Sequence, residues 1–204
     1  MRILVACEFS GTVRDAFRKR GHDAWSCDLL PSDSDPAYHL RGDVRRFLDS
    51  APDDRPWDLM IGHPPCTHLA VSGAAWFKDK ADLQESALDF VARLMCAPIP
   101  MIAIENPVSV ISTRIRKPDQ VIHPWQFGHM EQKTTCLWLN GLPPLRPTKN
   151  VYREMMELPK NVRERIHYLP PSDDRWAERS KTFQGIADAM ASQWGGEQGA
   201  LAYG

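Results

Sequence analysis

Two sets of residues in this sequence have the types and surroundings that chemistry needs. Cys66 follows Gly62-His-Pro-Pro65, directly after the apolar run from Leu59 to Ile61, and Glu105-Asn106 follows the apolar run from Met101 to Ile104. A cysteine thiolate is a soft, strong nucleophile that is partly available near pH 7, where a serine hydroxyl is not. A carboxyl group at a neighbouring position can stabilise charge that develops during such a reaction. Together the residues indicate nucleophilic addition assisted by a carboxyl group.

A structural role is the competing interpretation for each of these residues. A lone cysteine is more often a small buried hydrophobe than a nucleophile, but its pairing with Glu105 at a second strand end favours catalysis. His63 and His68 have no third ligand at a metal-binding spacing, so we predict no metal site. We expect both to be solvated loop residues, although either could help Cys66 to ionise. The other cysteines lie in apolar runs and are predicted core residues: Cys7, Cys27, Cys96 and Cys136.

The pattern of apolar residues predicts the elements that position these groups. Short apolar runs predict strands at 3–7, 59–61 and 101–104, and we expect further strands at 23–27, 121–127 and 135–139. Helical spacing predicts helices at 12–20, after 43, at 78–96 and over 186–194. Strands that alternate with helices indicate an α/β fold with a mostly parallel sheet and helices on both faces. We expect one domain over 1–195, with a proline-rich segment at 142–174 and a flexible tail at 196–204. In such sheets, ligands bind beyond the carboxyl ends of the strands.

Composition limits the class of protein without naming it. The chain has 204 residues, is 43% hydrophobic and carries a net charge of −1. No apolar run approaches the length of about 20 residues that a membrane span needs. Five scattered cysteines form neither a disulfide framework nor a metal pattern, so we expect a reducing, cytoplasmic setting. The near-neutral charge weakens the case for nucleic-acid binding but does not exclude it, because local basic stretches occur. We expect each such stretch, including 14–20, to be a solvated face.

The segment from Asp58 to Gly73 resembles the catalytic loop of DNA cytosine-C5 methyltransferases, in which a strand ends in Gly-Pro-Pro-Cys and a Ser and a Gly follow. The residues that match that pattern are Pro64, Pro65, Cys66, Ser72 and Gly73. His63 stands where the family usually has glycine, and Thr67 where it usually has glutamine. Glu105-Asn106 is similar to the family's Glu-Asn element, with Pro107 in place of the usual valine.

The resemblance also implies a cofactor site for S-adenosylmethionine in a Rossmann-like domain. Phe9, Ser10 and Gly11 look like a reduced form of the family's glycine-rich loop. Asp28 stands where the ribose-binding acid belongs, and Asp43 lies in an element similar to the one that meets the adenine. Pro64 is assigned to this site as well. Elsewhere the resemblance is partial: Lys133-Thr-Thr-Cys136 replaces a pair of arginines, and 179–185 is similar to the start of the closing helix.

The implied reaction is methyl transfer to C5 of cytosine in DNA. Cys66 would add to C6 of the ring, and Glu105 would hydrogen-bond at N3, which is easier if burial raises its pKa. Asn106 would hold the loop or the edge of the base. An amino-methyltransferase is the weaker interpretation, because His63 and Cys66 stand where that class has an amide or carboxylate and an aromatic side chain.

The family's target-recognition domain is missing, since the 142–174 interval is too short for it. Recognition of the DNA sequence could be weak, could use this interval with 76–82, or could come from a partner. A small enzyme of this kind fits a phage or mobile element that protects its own DNA. Two alternatives stay open: a pyrimidine C5 methyltransferase for single-stranded nucleic acid or free nucleotides, and a non-catalytic relative that binds nucleic acid or a partner.

Overall fold

A computed structural model describes residues 1–49, 51–71 and 81–196. Its strands are β1 (Arg2–Ala6), β2 (Asp23–Asp28), β3 (His39–Arg41), β4 (Leu59–Gly62), β5 (Met101–Asn106), β6 (Gln120–Ile122) and β7 (Thr135–Asn140). Its helices are α1 (Thr12–Arg18), α2 (Ala81–Met95), α3 (Ile111–Arg114), α4 (Tyr152–Met156), α5 (Lys160–Arg163), α6 (Arg165–Tyr168), α7 (Arg175–Ser180) and α8 (Gln184–Trp194). Within the described residues, every helix is too short or too polar to cross a lipid bilayer.

The strands of the described residues form one seven-stranded sheet in the order β3-β2-β1-β4-β5-β7-β6. Neighbours from β3 to β5 pair in parallel, whereas β7 runs antiparallel to both β5 and β6. The predicted α/β fold with a mostly parallel sheet is confirmed. The chain moves outward from β1 to β3 and then returns to place β4 on the other side of β1. The carboxyl ends of β1 and β4 therefore meet at the point where strand order reverses, which is where such sheets bind ligands.

Helices cover both faces of the sheet, as predicted. One apolar core lies between the sheet and the helices α1 and α8, and its buried residues include Ile3, Phe17 and Trp194. The second core lies under α2 and includes Leu4, Leu94 and Ile104. Strands buried on both faces are expected to be continuously apolar, and all five residues of β1 are buried.

Several predicted boundaries were wrong. The strand expected at 121–127 is limited to β6, because Pro124 begins a 3₁₀ turn at Pro124–Gln126 and a proline has no N–H for the ladder. The short strand β3 was not predicted. Cys96 is exposed rather than buried, because it lies just beyond the end of α2. The proline-rich interval contains the short helices α4 to α6. The start of the predicted 78–96 helix and most of the tail fall outside the described residues.

Candidate active site

The loop that carries Cys66 is held at both ends, by the last residue of β5 and by the chain that follows it. Asn106, the last residue of β5, donates from Nδ2 to the carbonyl oxygen of Pro64 at 2.9 Å. Beyond the cysteine, the N–H of Val110 donates to the Leu69 carbonyl at 2.9 Å, and the N–H of Val71 donates to the Val108 carbonyl at 3.1 Å. Cys66 itself is exposed. The fold therefore presents an accessible thiol on an anchored loop.

His63 and Glu105 form a buried pair next to this loop. His63 Nδ1 lies 2.8 Å from Glu105 Oε2, and the two side chains are only 10% and 12% exposed. The strands impose this contact, because β4 and β5 are parallel neighbours and His63 and Glu105 stand at their carboxyl ends. The expectation of a solvated His63 was wrong. Nothing in the spacing of residues 63 and 105 shows that they touch; only the sheet order does.

The protonation of the pair also differs from the expectation. Burial opposes the charge on Glu105, but the hydrogen bond and charge of His63 and the nearby Lys133 outweigh it and hold its pKa at about 2. Burial likewise opposes the charge on His63, but Glu105 and Glu8 outweigh it and raise the pKa of His63. The rise in the pKa of Glu105 that would ease the implied reaction is therefore absent, and its pKa is lowered instead. Both shifts favour an imidazolium paired with a carboxylate.

Two further side chains, Thr182 and Lys133, act on Glu105. Thr182, between α7 and α8, donates from Oγ1 to Glu105 Oε2 at 3.4 Å. Lys133 lowers the pKa of Glu105 by its charge, and its Nζ donates to the Arg179 carbonyl at 3.0 Å. The sequence shows a lysine in the region where the resembled family has arginines, but it does not indicate that this lysine lies near Glu105.

The turn after β1 is built around another buried carboxyl group, which the sequence analysis did not assign. Glu8 accepts from the N–H of Val13 at 2.7 Å and from the N–H of Arg14 at 3.3 Å, so it caps the first turn of α1. Burial raises the pKa of Glu8 despite these donors and the charge of His63. In the sequence, the signal for this role is an acidic residue that lies between a buried strand and the helix that follows it.

Gly11 has the backbone conformation expected of the predicted cofactor loop. Its φ of 73° is in the left-handed region, and a Cβ there would lie 2.6 Å from Arg14 Nη2. Only glycine fits this position without strain. Arg14 is fully buried and donates to Ser26 Oγ at 3.0 Å, so the interpretation of 14–20 as a wholly solvated face was wrong.

The other predicted cofactor residues lie along the same edge of the sheet. Phe9 packs against Trp176 of α7, with ring centroids 5.5 Å apart. Ser10 donates to Glu8 Oε1 at 3.4 Å. Asp28 ends β2 and accepts from the N–H of Leu30 at 3.0 Å through Oδ1. Asp43 caps the 3₁₀ turn at Val44–Arg46 and binds Arg45 with both carboxylate oxygens.

The structure thus collects most predicted site residues at the carboxyl ends of β1, β2, β4 and β5. Asn106 contacts Pro64 of the Cys66 loop, and Glu105 contacts His63 at the start of the same loop. Asp43 follows β3 and differs from the other predicted cofactor residues, because both of its carboxylate oxygens bind Arg45. Ser72, Gly73 and Trp76 fall outside the described residues, and Trp125 packs against His123 and Tyr152. The described residues contain no cluster of three or more His, Cys, Asp or Glu that could hold a metal ion.

The shifted pKa values predict how the pair contributes to stability. The pKa of Glu105 is lowered from 4.5 to about 2, so its contribution is present above pH 4.5 and is lost as the pH falls toward 2. The pKa of His63 is raised from 6.5, so its contribution is complete below pH 6.5 and is lost as the pH rises through the folded value. Both contributions are therefore complete only between pH 4.5 and pH 6.5.

We therefore expect His63→Ala to destabilise the fold most between about pH 4.5 and 6.5, by about 3 kcal/mol, because it leaves a buried carboxylate unpaired. Urea unfolding of wild type and variant across the pH range measures this difference. A difference that stays constant from acid to alkaline pH would contradict the ion pair. His22→Gln is a suitable control, because His22 lies far from this edge, in the turn before β2.

Comparison with known proteins supports no family assignment. No family model matches the chain, and no curated protein matches it. A solved structure described as a candidate DNA modification methyltransferase, encoded within an E. coli prophage, is similar in fold, with 12% sequence identity and a TM-score of 0.46. The match covers 84% of this chain and 56% of that chain. The chain thus spans little more than half of that structure's length, and a likeness this weak says nothing about activity.

Proposed function

We propose that this protein transfers a methyl group from S-adenosylmethionine to C5 of cytosine in DNA, through a covalent bond between Cys66 and C6 of the ring. One arrangement carries the proposal: an exposed thiol on a loop that Asn106 anchors, beside Glu105 at the end of the next strand. A thiol for addition and a carboxyl group for the ring nitrogen are the two groups that this reaction needs.

Asn106 acts on the protein rather than on the base in this proposal. Its Nδ2 is committed to the Pro64 carbonyl, so it fixes the backbone two residues before the nucleophile. Such fixation matters because a reacting atom displaced by about 1 Å costs on the order of 100-fold in rate. The side chain is almost fully buried, at 2% exposure, and its Oδ1 has no partner among the described residues.

The residues at the neighbouring strand ends fit the cofactor. Gly11 permits the left-handed backbone of the turn after β1, where strand order reverses and such sheets bind ligands. Asp28 uses only Oδ1 in the contacts of the described residues, so Oδ2 is available to accept from a ribose hydroxyl. Phe9, Ser10, Asp43 and Pro64 complete the proposed site. When bound there, S-adenosylmethionine supplies a methyl group activated by a sulfonium.

The protein's own groups perform the remaining steps. Cys66 attacks C6 as a thiolate, which makes C5 nucleophilic, and Glu105 stabilises the charge that develops at N3. After methyl transfer, loss of the C5 proton restores the double bond and releases Cys66. If the substrate is a duplex, the cytosine must leave the base stack to reach the thiol.

The test is nucleoside analysis after expression in a host without cytosine methylation. DNA and RNA from cells with the gene and with an empty vector are digested and analysed by mass spectrometry, and the purified protein is incubated with labelled S-adenosylmethionine and DNA, RNA or free cytidine nucleotides. We expect 5-methylcytosine in DNA only when the protein is present. Label found only in RNA or only in nucleotides would show that these, rather than DNA, are the substrate. An absence of label in every sample would contradict methyl transfer itself.

A further inference from the structure

His63 lies between two buried carboxyl groups from the strands on either side. β4 has β1 and β5 as its neighbours, Glu8 follows β1, and Glu105 belongs to β5. His63 donates from Nδ1 to Glu105 Oε2 at 2.8 Å, and the charge of Glu8 also acts on the imidazole. His63 Nε2 is buried and has no hydrogen-bond partner among the described residues. A carboxyl group, an imidazole and a second carboxyl group therefore stand at the carboxyl ends of three neighbouring strands, β1, β4 and β5.

The lowered pKa of Glu105 does not by itself suit a cytosine substrate. N3 of neutral cytosine is a hydrogen-bond acceptor, and an ionised Glu105 has no proton to offer it. Addition of Cys66 to C6 nevertheless pushes electrons onto N3, which must then gain a proton or a strong donor. The exchangeable proton nearest to the Glu105 carboxylate is the one on His63 Nδ1, in the 2.8 Å hydrogen bond.

We propose that His63 is a positioning residue that stores the proton which Glu105 passes to N3 of the pyrimidine, an inference that rests on the proposed function. His63 and Glu105 then act as one unit that carries a single transferable proton. The resembled family usually has glycine at position 63, so this proton store is a property of this chain's own residues.

The transfer balances in atoms and charge. The electron pair of the Cys66 thiolate forms the S–C6 bond, and the C5–C6 π electrons shift through C4 onto N3. N3 takes a proton from the Glu105 carboxyl group, which has taken it from His63 Nδ1. The step begins with an imidazolium, a carboxylate and a thiolate, and it ends with a neutral imidazole, a carboxylate and a neutral adduct. The proton returns to His63 when N3 gives it up after methyl transfer.

The inference makes the rate depend on pH through His63. The charged groups that act on it are Glu105 from β5, Glu8 after β1 and Lys133 from the segment before β7. Above the raised pKa of His63, the unit has lost its proton and addition slows. Glutamine at position 63 still donates a hydrogen bond to Glu105 but cannot release a proton. Glu105 must then carry the proton alone, and a carboxyl group does so only at lower pH.

The experiment compares the pH dependence of kcat for wild type, His63→Gln and the control His22→Gln between about pH 5 and 9. We expect the alkaline limb of His63→Gln to move by at least about one pH unit toward acid, which is about a tenfold loss on that side. The His22→Gln profile should superimpose on that of wild type. If His63→Gln does not fold, His63→Gly takes its place.

A second measurement does not depend on turnover. In a ¹⁵N NMR titration of the histidines of wild type, His63 should stay protonated to a higher pH than His22, whose pKa burial lowers. An active wild type with an unshifted His63→Gln profile, or a His63 that is neutral at pH 6, would overturn the proton store alone. A wild type that methylates nothing would overturn the proposed function and the role of His63 with it, even where the titration shows the pair.

Discussion

Cys66→Ala is expected to lower methyl transfer by at least about 10⁴-fold, the scale of loss when a covalent nucleophile is removed. The physical reason is that C5 of an intact cytosine ring is too weak a nucleophile to attack a methyl group, and only addition at C6 activates it. The fold should survive, because Cys66 is exposed and its carbonyl, rather than its thiol, accepts the hydrogen bonds of the turn. Initial rates with labelled S-adenosylmethionine measure the loss.

Cys96→Ala is the matched control, since Cys96 is also an exposed free thiol but lies after α2, at the opposite edge of the sheet. Its rate should equal that of wild type. DNA with 5-fluorocytosine gives a second readout, because C5 then lacks the proton whose loss releases Cys66. Wild type and Cys96→Ala should remain bound to this DNA on a denaturing gel, and Cys66→Ala should not. A Cys66→Ala protein that still forms the bound species would assign the nucleophile elsewhere.

Glu105→Gln is expected to lower kcat by about 100-fold to 1000-fold, the scale for removing one group that stabilises developing charge. A glutamine keeps the shape and a hydrogen bond to His63 but cannot pass a proton to N3. Binding of S-adenosylmethionine should change little, because Glu105 lies at the end of β5 rather than at the β1 and β2 strand ends proposed for the cofactor. Single-turnover rates and calorimetric binding of the cofactor separate these two effects.

Glu85→Gln tests whether any loss reflects a general change in charge. Glu85 lies on α2 and forms an exposed ion pair with Arg114, and exposed pairs contribute about 0 to 1 kcal/mol. Its kcat should match that of wild type. A Glu105→Gln protein with a normal rate would show that the carboxyl group is dispensable, and the proposed chemistry at N3 would fail.

Residue types and local patterns determined much of the candidate site. Short apolar runs that end in polar residues predicted the strands β1, β4 and β5, because a strand buried on both faces is mostly apolar. The same pattern put Cys66 and Glu105 at strand ends, where parallel sheets bind ligands. The anchoring role of Asn106 was one of two roles predicted for it, and its contact with Pro64 is the one the structure contains.

Only the tertiary structure shows which charged groups lie close enough to shift each other's pKa values. Residues 63 and 105 become neighbours because β4 and β5 pair, and pKa shifts depend on distances between charges rather than on residue type. A buried glutamate alone would hold its proton, but one beside an imidazolium does not. The pKa of Glu8, in the turn before α1, and the effect of Lys133 on Glu105 likewise depend on distances that the fold sets. The sequence determined which chemical groups this protein carries, and the fold determined which of them lie within hydrogen-bond distance of one another.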